Sequence, residues 1–298
     1  MPKKKILILG SADNWHAQAL TRAFDNRDTV PSFCTAAQML SYLGEKPYVA
    51  AGPLQLSEAD VILVREVPGG SLEQVIFRMD ALHQLENAGV RVINSPYAIE
   101  KMVDKYYALS LLQKAGLPVP ETCVTEDLTQ AMAAFDDLGG DVVIKPLFGS
   151  RGVGMVRVTD AETAGRVFKA LQLGGSVLYL QQYIPHDNRD LRVLVVGGEC
   201  VAAMERVADS WKTNIAAGGQ ARPYDIPPAI QDASLCAAQT LGADYCGVDL
   251  LFSADGQIYI LEANSMPAWK GLQQVTSFDI ADRIAQYCVE SIDSYKCR

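Results

Sequence analysis

The first 95 residues alternate between short apolar runs and longer stretches of helical periodicity. Three apolar runs have the length of buried strands, and they lie at residues 5–9, 59–66 and 90–95. Helical patterns occur between them, near 16–26 and 71–89. Because alternating strands and helices are typical of a parallel sheet, we predict an α/β fold whose N-terminal layer, residues 1–95, is parallel.

Beyond residue 95 the pattern changes to helices, strands and hairpins in a less regular order. The segment "SPYAIEKMVDKYYALSLLQKAG" predicts one continuous helix, with Ser95 as its N-cap, Pro96 in its first turn and Gly116 after its end. A proline-rich connector, "LPVPET", follows. The later predicted elements are a helix near 161–173, two hairpins from Leu191 onward with a helix between them, and a final helix at about 279–292.

Composition narrows the class of protein. The 298 residues are 49% apolar and 20% charged, as in a globular protein with room for two or three lobes. A net charge of −9 argues against nucleic acid or an anionic membrane as the main partner, although a basic pocket for a small anion is compatible with it. Seven cysteines without a CxxC pair indicate reduced thiols, and no apolar run is long enough for a membrane span, so we expect a cytoplasmic protein.

The hairpin "CGVDLLFSADGQIYILEAN" carries the strongest chemical signal. Asp255-Gly256 predicts a two-residue turn, which places Asp249 opposite Glu262 with their Cβ atoms about 5 Å apart. A four-residue loop would set the two carboxylates diagonally on the same face, whereas a three-residue loop would put them on opposite faces. Two ionised carboxylates this close repel each other, so either one takes up a proton or a cation lies between them. Asn264 shares the face of Glu262, and these oxygens suit magnesium or manganese; an exposed polar face is the alternative.

A glycine-rich loop lies in "VVIKPLFGSRGVGMVRV". Lys145 ends the first strand of this segment, and Gly149, Gly152 and Gly154 precede the second. Glycine allows backbone N–H groups to approach an anion closely. Because a strand follows the loop, it is neither a Walker A loop nor a dinucleotide fingerprint. We predict a hairpin flap over phosphates, with a glycine-rich hairpin that binds no ligand as the alternative.

Several further charged residues are weak signals individually. Lys105 lies in the predicted helix, with Lys101 one turn earlier on the same side. Asp190 and Arg192 are two residues apart on a predicted strand and therefore share a face. Arg206 lies in the return strand, and the loop "WKTN" follows it. Their significance depends on whether the fold brings them together.

Taken in order, these segments resemble the ATP-grasp fold, and most closely its RimK-like amino-acid ligase branch. The resemblance rests on "SPYAIEKMVDKYYA", the glycine loop, "LQQYIPHDNRDLRVLVVGG", "WKTNIAAGG" and "GVDLLF…YILEANSMPAWKGL", and it covers nearly all of residues 90–290. It implies an N-terminal parallel substrate-side domain at 1–95, a small lobe with a glycine-rich lid at 96–178, and a large lobe with the metal site at 179–298.

The resemblance assigns much of the predicted site to ATP. The implied nucleotide-binding positions are Lys105, Lys145, Gly149, Ser150, Gly152, Gly154, Gln182, Tyr183, Ile184, Asp190 and Asn214. The two lysines would contact the α- and β-phosphates, the glycine loop would cover them, and the backbone of 182–184 would hold adenine. Asp190 would lie near the ribose, and Asn214 would face the triphosphate. Gln182 stands where these enzymes often have Glu, which matters little if backbone groups hold the base.

The resemblance also implies the chemistry. Asp249, Glu262 and Asn264 are similar to the ligands of the magnesium ions, usually a pair, so ATP and Mg²⁺ (or Mn²⁺) are the expected cofactors. A substrate carboxylate would attack the ATP γ-phosphate, and an amine would then attack the acyl phosphate to form an amide. Arg192 or Arg206 would stabilise the oxyanion of the second step.

For substrates, "AWKGLQ" and "VREVPGGSLEQVIFRMD" resemble the tetrahydromethanopterin glutamate ligase-like subgroup. Arg65, Arg78 and Lys270 would bind carboxylates there, and Trp269 would stack on a ring; surface charge and a core tryptophan are the alternatives. The expected substrates are thus ATP, L-glutamate or a similar amino acid, and a carboxylate on a small molecule, cofactor or peptide. A homo-oligomer is compatible with this prediction. Competing hypotheses are a D-alanine dipeptide or lysine-pathway ligase, and an ATP sensor without turnover.

Overall fold

The computed structural model describes residues 4–27, 29–149 and 152–296. The strands in these ranges are β1 (Ile6–Leu9), β2 (Ser32–Cys34), β3 (Met39–Tyr42), β4 (Tyr48–Ala51), β5 (Leu54–Gln55), β6 (Val61–Val64), β7 (Arg91–Ile93), β8 (Thr122–Thr125), β9 (Val142–Lys145), β10 (Val156–Val158), β11 (Leu178–Gln182), β12 (Arg189–Val196), β13 (Glu199–Val207), β14 (Gln220–Pro223), β15 (Tyr245–Phe252) and β16 (Ile258–Asn264). The helices are α1 (Trp15–Asp25), α2 (Leu72–Asn87), α3 (Pro96–Val103), α4 (Lys105–Lys114), α5 (Leu128–Asp137), α6 (Ala161–Leu173), α7 (Pro228–Leu241), α8 (Lys270–Gln273) and α9 (Ile280–Lys296). No helix in the described ranges has both the length and the apolar character needed to cross a bilayer.

The predicted N-terminal layer is confirmed as a parallel sheet with the order β2-β1-β6-β7. Strands β1 and β6 are buried along their whole length, as their unbroken apolar sequences require. Two features were missing from the sequence prediction: the short strand β2, and a small antiparallel sheet formed by β3, β4 and β5.

The single helix predicted over 95–116 is wrong, because the chain breaks at Asp104. The backbone of Asp104 is extended (φ −87°, ψ 99°), and its side chain accepts a hydrogen bond from the Tyr107 N–H as the N-cap of α4. Helix α3 therefore ends before Asp104, and Lys105 becomes the first residue of a new helix. Lys101 consequently does not stack one turn below Lys105.

Two antiparallel sheets follow. One has the order β10-β9-β11-β8, with α5 and α6 packed on it, and the other has the order β14-β13-β12-β15-β16. Helices α3, α4 and α7 pack on the five-stranded sheet, while α9 packs with α1 against the N-terminal layer. The division at 95 and 178 remains a prediction about lobes, but β11 extends the sheet of the smaller lobe to Gln182.

Asn94 joins the N-terminal layer to the five-stranded sheet. Its side chain is fully buried, and its Nδ2 donates to the carbonyl oxygens of Tyr245 and Ser265 at 2.8 and 2.6 Å. Its Oδ1 accepts from the backbone N–H groups of Asp244 and Tyr245 at 2.7 and 3.0 Å. One amide thus satisfies four backbone groups, three at the start of β15 and one just after β16.

We therefore expect Asn94→Asp to lower the free energy of unfolding by about 2–3 kcal/mol, because two buried carbonyls lose their donor. Urea denaturation at neutral pH measures this change. The matched control is Asn26→Asp, at the C-cap of α1, which is exposed and should change stability by less than about 0.5 kcal/mol. Equal effects of the two substitutions would contradict the bridging role of Asn94.

Candidate functional site

A cleft lies between the four-stranded sheet β10-β9-β11-β8 and the five-stranded sheet, and it encloses about 860 Å³, including the space open to solvent. Its roof is the hairpin of β9 and β10, and its floor is the polar face of β12, β13, β15 and β16. The segment 182–184 forms the connection at the back, between the two sheets. A volume of this order accommodates a nucleotide-sized ligand.

The hairpin of β15 and β16 places two carboxylates on this floor by a different route from the predicted one. The loop has three residues, Ala254–Gly256, because Ser253 N–H donates to Gln257 O, and Gly256 adopts φ +82°. This register alone would put Asp249 and Glu262 on opposite faces. A β-bulge at Leu261 inserts one additional residue into β16, so that Asp249 pairs with Glu262 after all.

Asp249 is held by two arginines from neighbouring strands. Arg192 Nε and Nη2 donate to its two carboxylate oxygens at 2.7 and 2.6 Å, and Arg206 Nη2 lies 3.0 Å from Oδ2. Arg206 also donates through Nε and Nη2 to both oxygens of Asp190, each at 2.6 Å. Asp249 and Arg206 are 3% and 2% exposed, so the network is buried beneath the cleft. It neutralises the carboxylate repulsion inferred from the sequence.

Burial and ion pairing act in opposite directions on this network. Burial raises the pKa of Asp249, but Arg192 and Arg206 together lower it further, to about 2. Burial lowers the pKa of Arg206, and the charges of Asp249 and Asp190 outweigh this and raise it. Asp249 and Arg206 are therefore both ionised at neutral pH.

Glu262 and Asn264 lie beside Asp249 at the edge of the sheet. Both are half-buried, and Asn264 Nδ2 donates to Glu262 Oε1 at 3.0 Å. In the described ranges no group of three or more His, Cys, Asp or Glu side chains is placed to hold a metal ion; the set here is two carboxylates and an amide. Each Asp249 oxygen already accepts from a guanidinium, but Oδ1 accepts only one such bond and retains a lone pair. The oxygen-only donors fit a hard divalent cation.

Lys145 projects from the roof toward these acids. It is buried, and its Nζ donates to Gln181 Oε1, while Gln181 Nε2 donates to Thr122 Oγ1 at 3.0 Å. Burial lowers the pKa of Lys145 to about 8, with a further lowering from Lys105 and a partial opposing effect from Glu262 and Asp249. The amine is thus fixed in position, but its lowered pKa means that it loses its charge at a lower pH than an exposed lysine does.

This environment predicts a pH dependence of nucleotide binding. Because the pKa of Lys145 is lowered to about 8, the free site loses this charge as pH rises through that value. If ADP requires the ammonium group, its affinity in EDTA should fall about tenfold between pH 7 and pH 9. Isothermal titration calorimetry measures it. Lys145→Arg, which stays charged, should remove the slope, and Lys101→Arg should retain it.

The glycine loop contacts the lysines and the loop after β13. Lys105 Nζ donates to the carbonyls of Leu147 and Gly149 at 3.2 and 2.8 Å. Gly152 has φ +71°, and a Cβ built on it would lie 2.5 Å from Asn214 Oδ1. Lys212 Nζ donates to Met155 O at 2.6 Å. The flap therefore contacts the segment 211–214. A residue larger than glycine at position 152 would collide with the Asn214 side chain.

Most of the residues predicted for ATP and metal line this cleft. They are Lys105, Lys145, Gly149, Gly152, Gln182, Tyr183, Ile184, Asp190, Arg206, Asn214, Asp249 and Glu262. Arg192 and Asn264 adjoin the lining through Asp249 and Glu262, and Gly154 lies in the flap with φ +78°. Ser150 lies outside the described residues.

The four predicted substrate residues do not line the cleft. Trp269 is 1% exposed and packs in the core beneath Arg65, so its ring is not open to a ligand. Arg78 is buried and donates to the carbonyls of Pro68 and Gly69. Lys270 is exposed at the start of α8. Arg65 lines a separate crevice.

The sequence prediction missed several residues of the cleft. Gln181, His186, Trp211, Lys212 and Thr213 line it, as do the apolar side chains Val143, Met155, Leu251 and Leu261. The motif "WKTN" was the available signal for three of them. Nothing in the strand sequence distinguishes Gln181 from its neighbour Gln182.

Comparison with known proteins gives a consistent result. A family model described as the RimK-like ATP-grasp domain matches residues 102–288. A tetrahydromethanopterin:alpha-L-glutamate ligase of Methanosarcina acetivorans is 32% identical over 96% of this chain and 98% of its own length. A ribosomal protein bS6--L-glutamate ligase of Salmonella paratyphi B is 35% identical over 70% of each chain.

Among solved structures, the ATP-grasp ligase PsnB complexed with a minimal precursor superposes with a TM-score of 0.77. The superposition covers 98% of this chain and 99% of that chain, at 22% sequence identity. At this level of identity the likeness establishes the fold.

Proposed function

Because this chain belongs to the RimK-like ATP-grasp family and is thus an ATP-dependent ligase, we propose that it joins the amine of L-glutamate, or of a similar amino acid, to a carboxylate substrate. The observation that carries the proposal is the opposed pair Asp249 and Glu262 on the floor of a cleft whose roof holds Lys145. This arrangement places two carboxylates that suit a divalent metal ion beside a lysine that suits the phosphate groups of ATP.

The cleft offers distinct surroundings for each part of ATP. Lys105 and Lys145 would contact the phosphates, and the flap would cover them. The N–H groups of Gln182 and Tyr183 donate to Glu121 O and Asp141 O, which leaves the N–H of Ile184 as the donor of this segment for adenine. Apolar side chains from both sheets, Val143 and Leu251 among them, would enclose the base.

Asp249, Glu262 and Asn264 would hold magnesium through oxygen atoms, and the ion would supply positive charge beside the phosphates when bound. Arg206 is committed to Asp190 and Asp249, so its contribution is to hold Asp249 in place. Arg192 uses Nε and Nη2 for Asp249, and in the described part of the chain its Nη1 is uncommitted. Of the two arginines, Arg192 is therefore the better candidate for the oxyanion.

The reaction has two steps. In the first, an oxygen of the substrate carboxylate attacks the γ-phosphorus, the bond to the β–γ bridging oxygen breaks, and ADP leaves. Lys145 and Lys105 reduce the repulsion between the two anions. In the second, the amine of the amino acid attacks the acyl carbon, loses a proton and displaces inorganic phosphate. The closed flap excludes water, which would hydrolyse the acyl phosphate.

The choice of L-glutamate is supported by the names of the relatives. Two of them, at 32% and 35% identity, are described as L-glutamate ligases that differ in their acceptor, a pterin cofactor in one and a ribosomal protein in the other. The first aligns over nearly the whole chain, including the N-terminal layer, whereas the second aligns over 70% of it. We therefore favour a small-molecule acceptor over a protein.

The test is a screen of the purified chain for ADP release. The reaction contains ATP, Mg²⁺ and L-glutamate, with tetrahydromethanopterin, ribosomal protein bS6 or a panel of small carboxylates as acceptor, and mass spectrometry identifies products that have gained one glutamyl residue. D-Alanine and L-lysine replace L-glutamate in parallel reactions. Products with D-alanine alone would indicate a dipeptide ligase. ATP binding without ADP release for any amine would reject the ligase proposal in favour of a sensor.

A further inference from the structure

A chain of hydrogen bonds connects Lys145 with a residue outside the cleft. Lys145 Nζ donates to Gln181 Oε1, and Gln181 Nε2 donates to Thr122 Oγ1 at 3.0 Å. Thr122 Oγ1 in turn donates to Pro120 O at 2.9 Å. Thr122 is half-buried at the start of β8 and is not among the described residues that line the cleft. An effect of Thr122 on a ligand in the cleft would therefore be exerted through Gln181.

Strand pairing brings these side chains to one face of the four-stranded sheet. Thr122 is directly opposite Gln181 in the antiparallel pair of β8 and β11. Gln181 is opposite Val143 in the pair of β11 and β9, and Lys145 follows two residues after Val143, on the same face. Diagonal neighbours of this kind are within reach of long side chains. The contacts thus follow from the registers of three strands.

The chain of hydrogen bonds runs in one direction, because both of its ends are fixed. The carbonyl oxygen of Pro120 can only accept, so it takes the single hydroxyl proton of Thr122, and Thr122 Oγ1 is left as an acceptor for Gln181. At the other end, a charged ammonium group can only donate. The Gln181 amide therefore turns Nε2 toward Thr122 and Oε1 toward Lys145. The opposite orientation would place its NH₂ group against the ammonium group, donor against donor.

Gln181 holds the ammonium group of Lys145 without neutralising it. Nζ carries three protons, and among the residues that the structure describes only Gln181 accepts one of them, so two remain for a ligand. The acceptor is a neutral amide oxygen, so the positive charge stays available for a phosphate. A long side chain that is already held in place also loses less conformational entropy when the ligand binds.

We infer that Thr122 is a positioning residue for ATP: through the Gln181 amide, it holds Lys145 in the place where the phosphates bind. The inference deepens the proposed function and rests on it, because the contact between Lys145 and the phosphates is part of that proposal.

The test is calorimetric titration of ADP, in EDTA, into two variants of Thr122. Thr122→Val keeps the shape of the side chain but removes the hydroxyl that orients Gln181, so ADP affinity should fall about fivefold. Thr122→Ser keeps the hydroxyl and loses a methyl group, and it should retain the wild-type affinity. If Thr122 contributed only packing, the serine variant would be the impaired one. Thr125→Val removes a hydroxyl from the same strand and, as the matched control, should leave ADP affinity unchanged.

A double-mutant cycle shows whether the effect passes through Lys145. In a Lys145→Met background, Thr122→Val should cause no further loss of ADP affinity, because the group that Thr122 positions is absent. Gln181→Met should behave in the same way, and it keeps the test decisive if Thr122→Val does not fold. An equal loss in both backgrounds, or wild-type affinity in Thr122→Val, would overturn the inference.

The outcomes separate this positioning role from the proposed reaction. If glutamyl products form but Thr122→Val binds ADP as tightly as the wild type, the reaction stands and the positioning role fails. If the cycle gives the expected coupling but no acceptor yields product, the positioning role stands and the reaction fails. If the wild-type chain does not bind ADP, both fail.

Discussion

Glu262→Gln should lower kcat by about a thousandfold or more and leave the protein folded. The substitution keeps the shape of the side chain but removes the negative charge that faces Asp249 and the cleft. Loss of one anionic oxygen ligand weakens the hold on a divalent cation and the neutralisation of the triphosphate. ADP release in the presence of substrates, measured across a magnesium titration, should show both the lower kcat and a higher magnesium requirement.

The control for this experiment is Glu126→Gln, an exposed residue before α5. It should leave kcat and the magnesium requirement unchanged. Because Glu262 is half-buried and its partner Asn264 can still donate to an amide oxygen, the free energy of unfolding should change by less than about 1 kcal/mol. Near-normal turnover in Glu262→Gln would refute the metal role of this residue.

Arg206→Met should destabilise the protein by about 3–5 kcal/mol and abolish activity. The guanidinium is 2% exposed and bonds Asp190 on one side and Asp249 on the other. Its removal leaves Asp190 buried without its cation, and an unpaired buried charge costs far more than an intact pair contributes. Urea denaturation at pH 7 measures the loss. Arg189→Met, on the same strand as Asp190 but exposed, should cost less than about 1 kcal/mol.

A double variant separates stability from function. Asp190→Leu combined with Arg206→Met replaces the buried pair with apolar groups, and most of the lost stability should return. Activity should not return, because Asp249 would lack one of its two arginines. A double variant as unstable as Arg206→Met alone would show that the pair is not the source of the destabilisation.

The sequence predicted the parallel layer well because β1 and β6 are unbroken apolar runs, and such runs are buried on both faces. It did not predict β2, which has three residues and is half-buried, or the end of α3. In the sequence, Asp104 lies within a helical pattern of apolar residues, where an aspartate indicates only an exposed position on the helix. Only the tertiary packing shows that Asp104 leaves the helix and caps the next one.

The parts of the site that depend on the spacing of residues along one strand could be predicted from the sequence. The parts that depend on how neighbouring strands are aligned could not. The separation of Asp249, Glu262 and Asn264 indicated a shared face, and the structure shows it, although Asp-Gly also suits a three-residue loop with glycine in the left-handed conformation. The predicted loop length was wrong, and the unpredicted bulge restored the pairing. Gln181 could not be identified at all, because its contacts with Lys145 and Thr122 depend on how three strands align.

The bulge at Leu261 also divides the hairpin into two parts that pair in different registers. On the side of the carboxylates, β15 is aligned by its pairing with β12, in which Asp249 faces Arg192. On the far side, the tip at residues 253–257 is largely exposed and sets only its own alignment. A change in length at the tip should therefore be absorbed before it reaches Glu262. This makes the tip a suitable place for an inserted epitope or fluorophore. The sequence of the tip can also vary without displacing Asp249 and Glu262.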